Sequence, residues 1–480
     1  MLKLLRQSPL ILVTTLITAI LLLRINSPQV PFTDELLFEE ASFNAAHGKW
    51  LIPHLKDQPW LEKPPLYFWL TAPIFHLAKP FLSHNPLDLT KSLDHQHIYY
   101  YPWIRRFIGN LFAIGAVITT AYLSKKIFPS TPPFIAPLIL IATPGFIYTA
   151  LAANLDIPAA TCIAISYLSL LYLKTHPKIS FFAFILSTAS AIMFRSIFGL
   201  IPFIFLIYYF FNHQINLKKT LLLTLTILAL ILPWHIYTYL QFPQDFLDTY
   251  LGFNIVGHSL HLPSGYEPTS IYYYAILLSL PPWFATICIY GLYRIFQTKL
   301  HLHLSHPITL LILYFTIPFV FLSLSATRHP WYSAQLTIPL SILANYVIYQ
   351  MYLTFTKSTH QDLAKIAFLA LILTPLTLII GSSDNSTSSV QALHYAIAQS
   401  PNQIIYSYKQ PYLPHSPLYH PAPVQTIDDD FLLQNTQNLI IYINQSQLDS
   451  PILNQYQLKP LKSFSPGGIY QITPPNPNNP

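Results

Sequence analysis

Phe32-Thr33-Asp34-Glu35-Leu36-Leu37-Phe38-Glu39-Glu40 sets four carboxylates directly after an apolar N-terminal run, in a chain with only 9% charged residues. Such a concentration of acid beside a hydrophobic segment marks a polar site at a membrane boundary. Further on, Trp60-Leu61-Glu62-Lys63-Pro64-Pro65-Leu66-Tyr67-Phe68-Trp69 sets an acid and a base beside a rigid double proline and a belt of aromatics. A short re-entrant loop would bring these two stretches together.

The rest of the composition agrees with a membrane setting. Of the 480 residues, 52% are hydrophobic, and the mean hydropathy is +0.42. Apolar runs recur at close to the roughly twenty residues that cross a bilayer, so the chain reads as a polytopic helical membrane protein. The net charge of +7 does not point to nucleic acid. The bases stand in pairs at the ends of apolar runs, where they act as topology signals. Cys162 and Cys288 both lie inside apolar runs, which argues against a disulfide framework or a thiolate metal site and for core packing.

Lys3 and Arg6 precede the run from Leu10 to Leu23, which has the look of a signal peptide but lacks a small-residue cleavage site, so it reads as a retained first helix. With these bases in the cytoplasm, an outer loop over 26–102 emerges on the opposite side, and the run from Trp103 to Tyr122 returns to Lys125 and Lys126. Further runs cover 133–151, 157–173, 179–194, 197–211, 220–239, 270–293, 307–326, 331–353 and 364–380, which makes about eleven spans. Lys174 with Lys178, Lys218 with Lys219, Arg294 with Lys299, and Lys357 then fall on the cytoplasmic side. Prolines at Thr143-Pro144, Ile201-Pro202 and Pro281-Pro282 predict kinks. After Gly381 the composition turns polar and proline-rich, with strand-like runs at Gln403–Tyr408 and Asn438–Ile443. The expected organisation is an all-α polytopic domain over 1–381 and a small α/β domain over 382–480, placed outside by the odd span count.

On this topology the polar residues gather on the outer side. Asp34, Glu35, Glu62, Lys63, Arg105, Arg106, Asp156, Arg195, His258, Glu267, Arg328 and His329 all fall there, so one outer cavity is expected to hold them. Plainer readings stand beside this one. Glu39 and Glu40 read as a solvated helix face, Arg105 and Arg106 equally as headgroup anchors, and His258 and His329 as interfacial polar residues. Asp156 is either functional or an N-cap for the helix that follows it.

Asp34-Glu35, then Gly48-Lys49-Trp50-Leu51-Ile52-Pro53-His54-Leu55, then Glu62-Lys63-Pro64-Pro65-Leu66-Tyr67-Phe68-Trp69 resemble the first outer loop of the bacterial protein mannosyltransferase-like glycosyltransferases, most of all the lipid A aminoarabinose transferases. Arg105-Arg106-Phe107, Leu155-Asp156, Pro281-Pro282-Trp283 and Arg328-His329-Pro330-Trp331-Tyr332 extend the likeness over roughly 30–345. The resemblance implies a GT-C membrane fold in the bacterial inner membrane. It also implies a sugar donor on a polyprenyl-phosphate carrier, a lipid A, glycan or protein acceptor, and an active site facing the periplasm. In those terms Asp34, Glu35 and Asp156 are the catalytic candidates, with Asp34 leading as the group that orients the acceptor and takes its proton. Lys63, Arg195 and Arg328 are the candidates for the donor phosphate, where fixed cations stabilise the charge that develops as the carrier departs. Glu62 and His258 are the candidates to share a divalent metal ion. One departure is plain: Phe194-Arg195-Ser196-Ile197-Phe198-Gly199 replaces the family's common Lys-Gly-Pro turn and keeps its cation as arginine. The competing classes are a transporter or flippase of a lipid-linked substrate, which would carry polar groups near mid-membrane, and a non-catalytic envelope scaffold.

Overall fold

The computed structural model describes residues 9–25, 34–55, 58–78, 102–257, 306–325 and 329–354, and in the C-terminal part 405–408, 424–434, 439–444, 448, 450–464 and 467–473. The expected spans at 270–293 and 364–380 lie outside the described residues, as do Cys288, Glu267, His258 and Arg328.

Among the described residues, four helical stretches are long and apolar enough to cross a membrane: Trp103–Ile127, Pro177–Phe211, Leu217–Gln241 and Pro307–Leu324. Val13–Leu23, Leu66–Ala78 and Asp156–Tyr172 are shorter apolar helices. In chain order the helices are α1 (Pro9–Arg24), α2 (Asp34–Ala46), α3 (Leu66–Ala78), α4 (Pro102–Ile127), α5 (Ile135–Ala142), α6 (Pro144–Ala150), α7 (Asp156–Tyr172), α8 (Pro177–Arg195), α9 (Ile201–Phe211), α10 (Leu217–Gln241), α11 (His306–Leu324) and α12 (Ala334–Thr354). A 3-10 turn, Ser196–Leu200, joins α8 to α9, and a π-helix, Phe246–Gly257, follows α10.

Local chemistry sets these boundaries. The Asn216 side chain accepts from the Lys219 N–H at 3.0 Å and so caps α10. Pro177 opens α8 at a position where a missing N–H costs nothing. The run expected as one span over 133–151 is two short helices, because Pro144 holds Thr143 in an extended conformation (φ −82°, ψ 118°). By contrast Pro233, Pro318 and Pro339 remain inside α10, α11 and α12. Most of the surface of α10 is apolar and outward-facing, including Leu221, Leu222, Leu225, Leu230 and Leu240. A patch of that kind suits hydrocarbon contact and would be an aggregation site in water.

α7 lies in the core, packed on α4 and α8, with α12 against α5, α7 and α4. Small residues permit the close approach. A Cβ on Gly115 would stand 3.4 Å from Thr161 Cγ2, and the Ser166 and Ser187 hydroxyls meet at 2.8 Å between α7 and α8. The expected outer loop is itself structured: α2, a short hairpin pairing β1 (His54–Leu55) with β2 (Gln58–Pro59), and α3. Asn44 Nδ2 donates to the His54 carbonyl at 2.9 Å, Trp69 Nε1 to the Trp50 carbonyl at 2.7 Å, and Trp234 Nε1 of α10 to the Leu51 carbonyl at 2.9 Å.

The C-terminal part holds a five-stranded mixed sheet with a core of its own, including Tyr408, Ile441, Ile443, Leu453 and Ile472. Its strands are β3 (Ile405–Tyr408), β4 (Val424–Ile427), β5 (Leu439–Asn444), β6 (Gln457–Phe464) and β7 (Gly467–Thr473), in the order β4-β3-β5-β7-β6. β3 runs parallel to β4 and β5, and β7 pairs antiparallel with β5 and β6. A short helix, α13 (Asp429–Gln434), precedes β5.

Candidate active site

The carboxylates of α2 meet the bases of α4 in a buried ionic cluster. Glu35 Oε1 accepts from Arg106 Nε at 2.5 Å and lies 3.2 Å from Arg105 Nε, while its Oε2 accepts from Arg106 at 3.1 Å. Arg105 also pairs with Glu39, and the Ala153 N–H donates to Glu35 at 3.0 Å. All four side chains are inaccessible to solvent to within 1%. Burial pushes the Glu35 carboxyl up, but the Arg106 and Arg105 charges, with the Arg106 and Ala153 hydrogen bonds, outweigh it and hold its pKa below the ordinary glutamate value. The cluster ties α2 to α4 and to the segment entering α7. Two expectations are therefore corrected. Glu39 and Glu40 are buried and not a solvated helix face, and Arg105 and Arg106 are interior ion-pair partners and not headgroup anchors. Glu35 has its oxygens committed within this cluster, away from the cavity lining described next.

A small cavity opens where the loop before α3, the end of α8 and the π-helix meet. Lys63, Arg195, Ser196, Asn254, Ser325 and Tyr332 give it a polar side, and Phe194, Ile197, Phe198 and Phe321 an apolar one. Arg195 Nε donates to Asp156 Oδ1 at 3.0 Å, and its guanidinium lies 4.7 Å from the centre of the Tyr332 ring. A carboxylate and an aromatic face thus hold the arginine head from two sides. Asp156 also feels the charge of Lys63. Its backbone is fixed by Asn154 Oδ1, which accepts from its N–H at 2.5 Å, and by Gln335 Nε2, which donates to its carbonyl at 3.1 Å. Asp156 is the first residue of α7 and Leu155 holds the cap position, so the carboxylate is a partner for Arg195 and not an N-cap.

Arg195 reaches the cavity because α8 stops abruptly. Ser196 takes a positive φ of 36°, a conformation that favours glycine, and the 3-10 turn folds back on α8. At Gly199 a Cβ would lie 2.2 Å from Ile192 N and 2.3 Å from Ile192 Cα, so only glycine fits against that backbone. Gly199→Ala is expected to destabilise the protein by about 1–3 kcal/mol or more, since neither backbone can yield without moving Arg195. Ser196→Gly is expected to leave stability unchanged or raise it. Thermal unfolding of the purified variants checks both.

Of the residues named from the sequence, Lys63 and Arg195 line one cavity, and Asp156 holds Arg195 beside it. Glu62 touches Lys63 and does not line the cavity, with Oε1 accepting from Lys63 at 2.5 Å and Oε2 from Trp60 Nε1 at 3.4 Å. Asp34 opens α2, but its side chain lies outside the described residues, as do Arg328 and His258. Among the described residues no three His, Cys, Asp or Glu side chains gather as metal ligands, and Glu62 is taken up by two nitrogen donors. Asn254 was missed: a neutral residue in an apolar stretch carries no signal of its position, yet its Oδ1 lies 3.4 Å from Lys63 Nζ.

No family model and no curated protein sequence matches the chain. Solved structures do. The chain is similar to ArnT from Cupriavidus metallidurans in the apo state, at 16% identity over 97% of this chain and 98% of that one, with a TM-score of 0.66. It is similar to the same protein bound to undecaprenyl phosphate, at 15% identity over 96% and 97% of the two chains, with a TM-score of 0.64. The apo oligosaccharyltransferase of Archaeoglobus fulgidus matches at 12% identity over 99% of this chain and 75% of that one, with a TM-score of 0.58. The chain has the GT-C membrane fold of these proteins, as the motifs around Asp34, Lys63 and Arg105 implied.

Proposed function

We propose that the chain is an integral membrane glycosyltransferase that moves a sugar from a polyprenyl-phosphate donor to an envelope acceptor, which is lipid A, another glycan or a protein. The reaction takes place at the periplasmic face of the bacterial inner membrane. The observation that carries this reading is the meeting of Lys63 and Arg195, from segments far apart in the chain, on one cavity with an apolar wall. An amphiphilic donor needs both surfaces, one for its phosphate and one for the first units of its tail. That the ArnT structure of the same fold binds undecaprenyl phosphate supports the assignment.

In the reaction the bond between the anomeric carbon and the phosphate oxygen breaks, and its electron pair leaves with the carrier as the phosphate gains charge. Lys63 and Arg195 stabilise that charge in a water-poor site. The acceptor oxygen attacks the anomeric carbon; a hydroxyl acceptor gives up its proton to a carboxylate, the part assigned to Asp34 at the start of α2, whereas a phosphate acceptor needs no base and Asp34 then orients sugar or acceptor. Asp156 holds Arg195 in place, and Arg328 is the third candidate for the phosphate.

Purified protein in nanodiscs, given a labelled polyprenyl-phosphate sugar and envelope extract, is expected to release polyprenyl phosphate and label one acceptor class. Absence of transfer to every acceptor overturns the reading. Lys63→Ala is expected to raise KM for the donor about tenfold, the loss of one charge-assisted contact of about 1.5–3 kcal/mol in a half-screened site. An unchanged KM would remove Lys63 from the site.

A further inference from the structure

Lys63 follows Glu62 directly and donates to its Oε1 at 2.5 Å. Its second acceptor is Asn254 Oδ1 at 3.4 Å, 191 positions further along the chain. These contacts use two of the three donors an ammonium carries. Their electrical effects differ. A carboxylate cancels much of the field that the ammonium presents to an incoming anion, whereas an amide oxygen fixes the head in space and leaves the charge intact.

Asn254 arrives there on the π-helix Phe246–Gly257, a backbone form that is uncommon and usually limited to a single turn. Glycines mark its repeat. A Cβ on Gly252 would stand 3.1 Å from the Leu247 carbonyl oxygen, and one on Gly257 would stand 3.2 Å from that of Gly252. Leu247, Gly252 and Gly257 thus follow the five-residue step of the π ladder. The same segment contributes Ile255 to the cavity lining, so its register decides which side chains face the site.

We propose that Asn254 is a positioning residue for the donor phosphate: it holds the Lys63 ammonium at the cavity beside Glu62, and its neutrality is what keeps that ammonium able to bind an anion. The proposal rests on the polyprenyl-phosphate reading above. Its test is equilibrium binding of undecaprenyl phosphate to the purified full-length protein in detergent, comparing wild type, Lys63→Ala, Asn254→Ala and Asn254→Asp, with the unfolding temperature of each. Asn254 is only half-buried, so both substitutions at that position are compatible with folding.

Asn254→Ala is expected to weaken binding about three- to tenfold through loss of one hydrogen bond to a charged group. Asn254→Asp, though the same shape, is expected to weaken it more than tenfold, by setting a second carboxylate against the phosphate. That excess penalty is expected to shrink as the pH falls into the carboxyl range. A packing role makes the isosteric aspartate the milder change, so aspartate binding as tightly as wild type, or more tightly than alanine, overturns the proposal. Wild-type binding with no loss in Lys63→Ala overturns the donor reading itself, and this proposal with it.

Discussion

Glu35→Ala is expected to cost about 3–5 kcal/mol of stability, because it removes the carboxylate that two buried guanidinium groups share. Arg106 loses both of its bonds to Glu35, Arg105 loses one of its two carboxylate neighbours, and the Ala153 N–H loses its acceptor. Glu35→Gln keeps an acceptor in place and is expected to cost less, while still leaving an excess positive charge. Unfolding temperatures in detergent rank the three proteins. The pH dependence follows from the direction of the Glu35 shift. Its pKa is lower in the folded protein, so its contribution is complete above the ordinary glutamate value and disappears as the pH falls through the folded one. The wild type is therefore expected to lose stability on acidification below the ordinary glutamate range, and Glu35→Gln to lose less over that interval. If Glu35→Ala unfolds at the wild-type temperature, the cluster does not hold α2 to α4.

The helical domain was legible because hydrophobic runs in this chain are long and its charges few. Lys63, Asp156 and Arg195 stood out for the same reason: a charge that costs several kcal/mol to bury is retained only with a partner or a task. Partner choice was not legible. Glu35 and Arg106 are 71 positions apart, and nothing in α2 read alone distinguishes four solvated carboxylates from a buried ionic face. The break at Thr143-Pro144 was visible as a proline, but whether a proline ends a helix, as Pro144 does, or rides inside one, as Pro233 does, depends on neighbours that re-satisfy the backbone. The turn after α8 was the most informative departure. Where the common Lys-Gly-Pro turn has its glycine, Ser196 carries the positive φ, and a glycine that packing demands sits three residues later at Gly199.

Arg195→Ala is expected to lower turnover about 10²- to 10³-fold, the usual loss when one preorganised donor to a developing oxyanion is removed from a dry site. The phosphate of the donor gains charge as the glycosidic bond breaks, so a fixed guanidinium interacts more strongly with the transition state than with the bound donor. kcat should therefore fall more than KM rises. A complication is that Arg195 also neutralises Asp156, whose side chain is only 2% exposed, so the alanine variant takes away that carboxylate's guanidinium partner. Arg195→Lys separates the two roles. It retains a cation for Asp156 but gives up the planar head that lies over the Tyr332 ring, so it is expected to keep its unfolding temperature while recovering only part of the rate. If Arg195→Lys matches wild type in kcat, charge alone suffices and the Tyr332 contact does no chemical work. If Arg195→Ala folds and turns over normally, the cavity between α8 and the π-helix is not where the carrier phosphate departs.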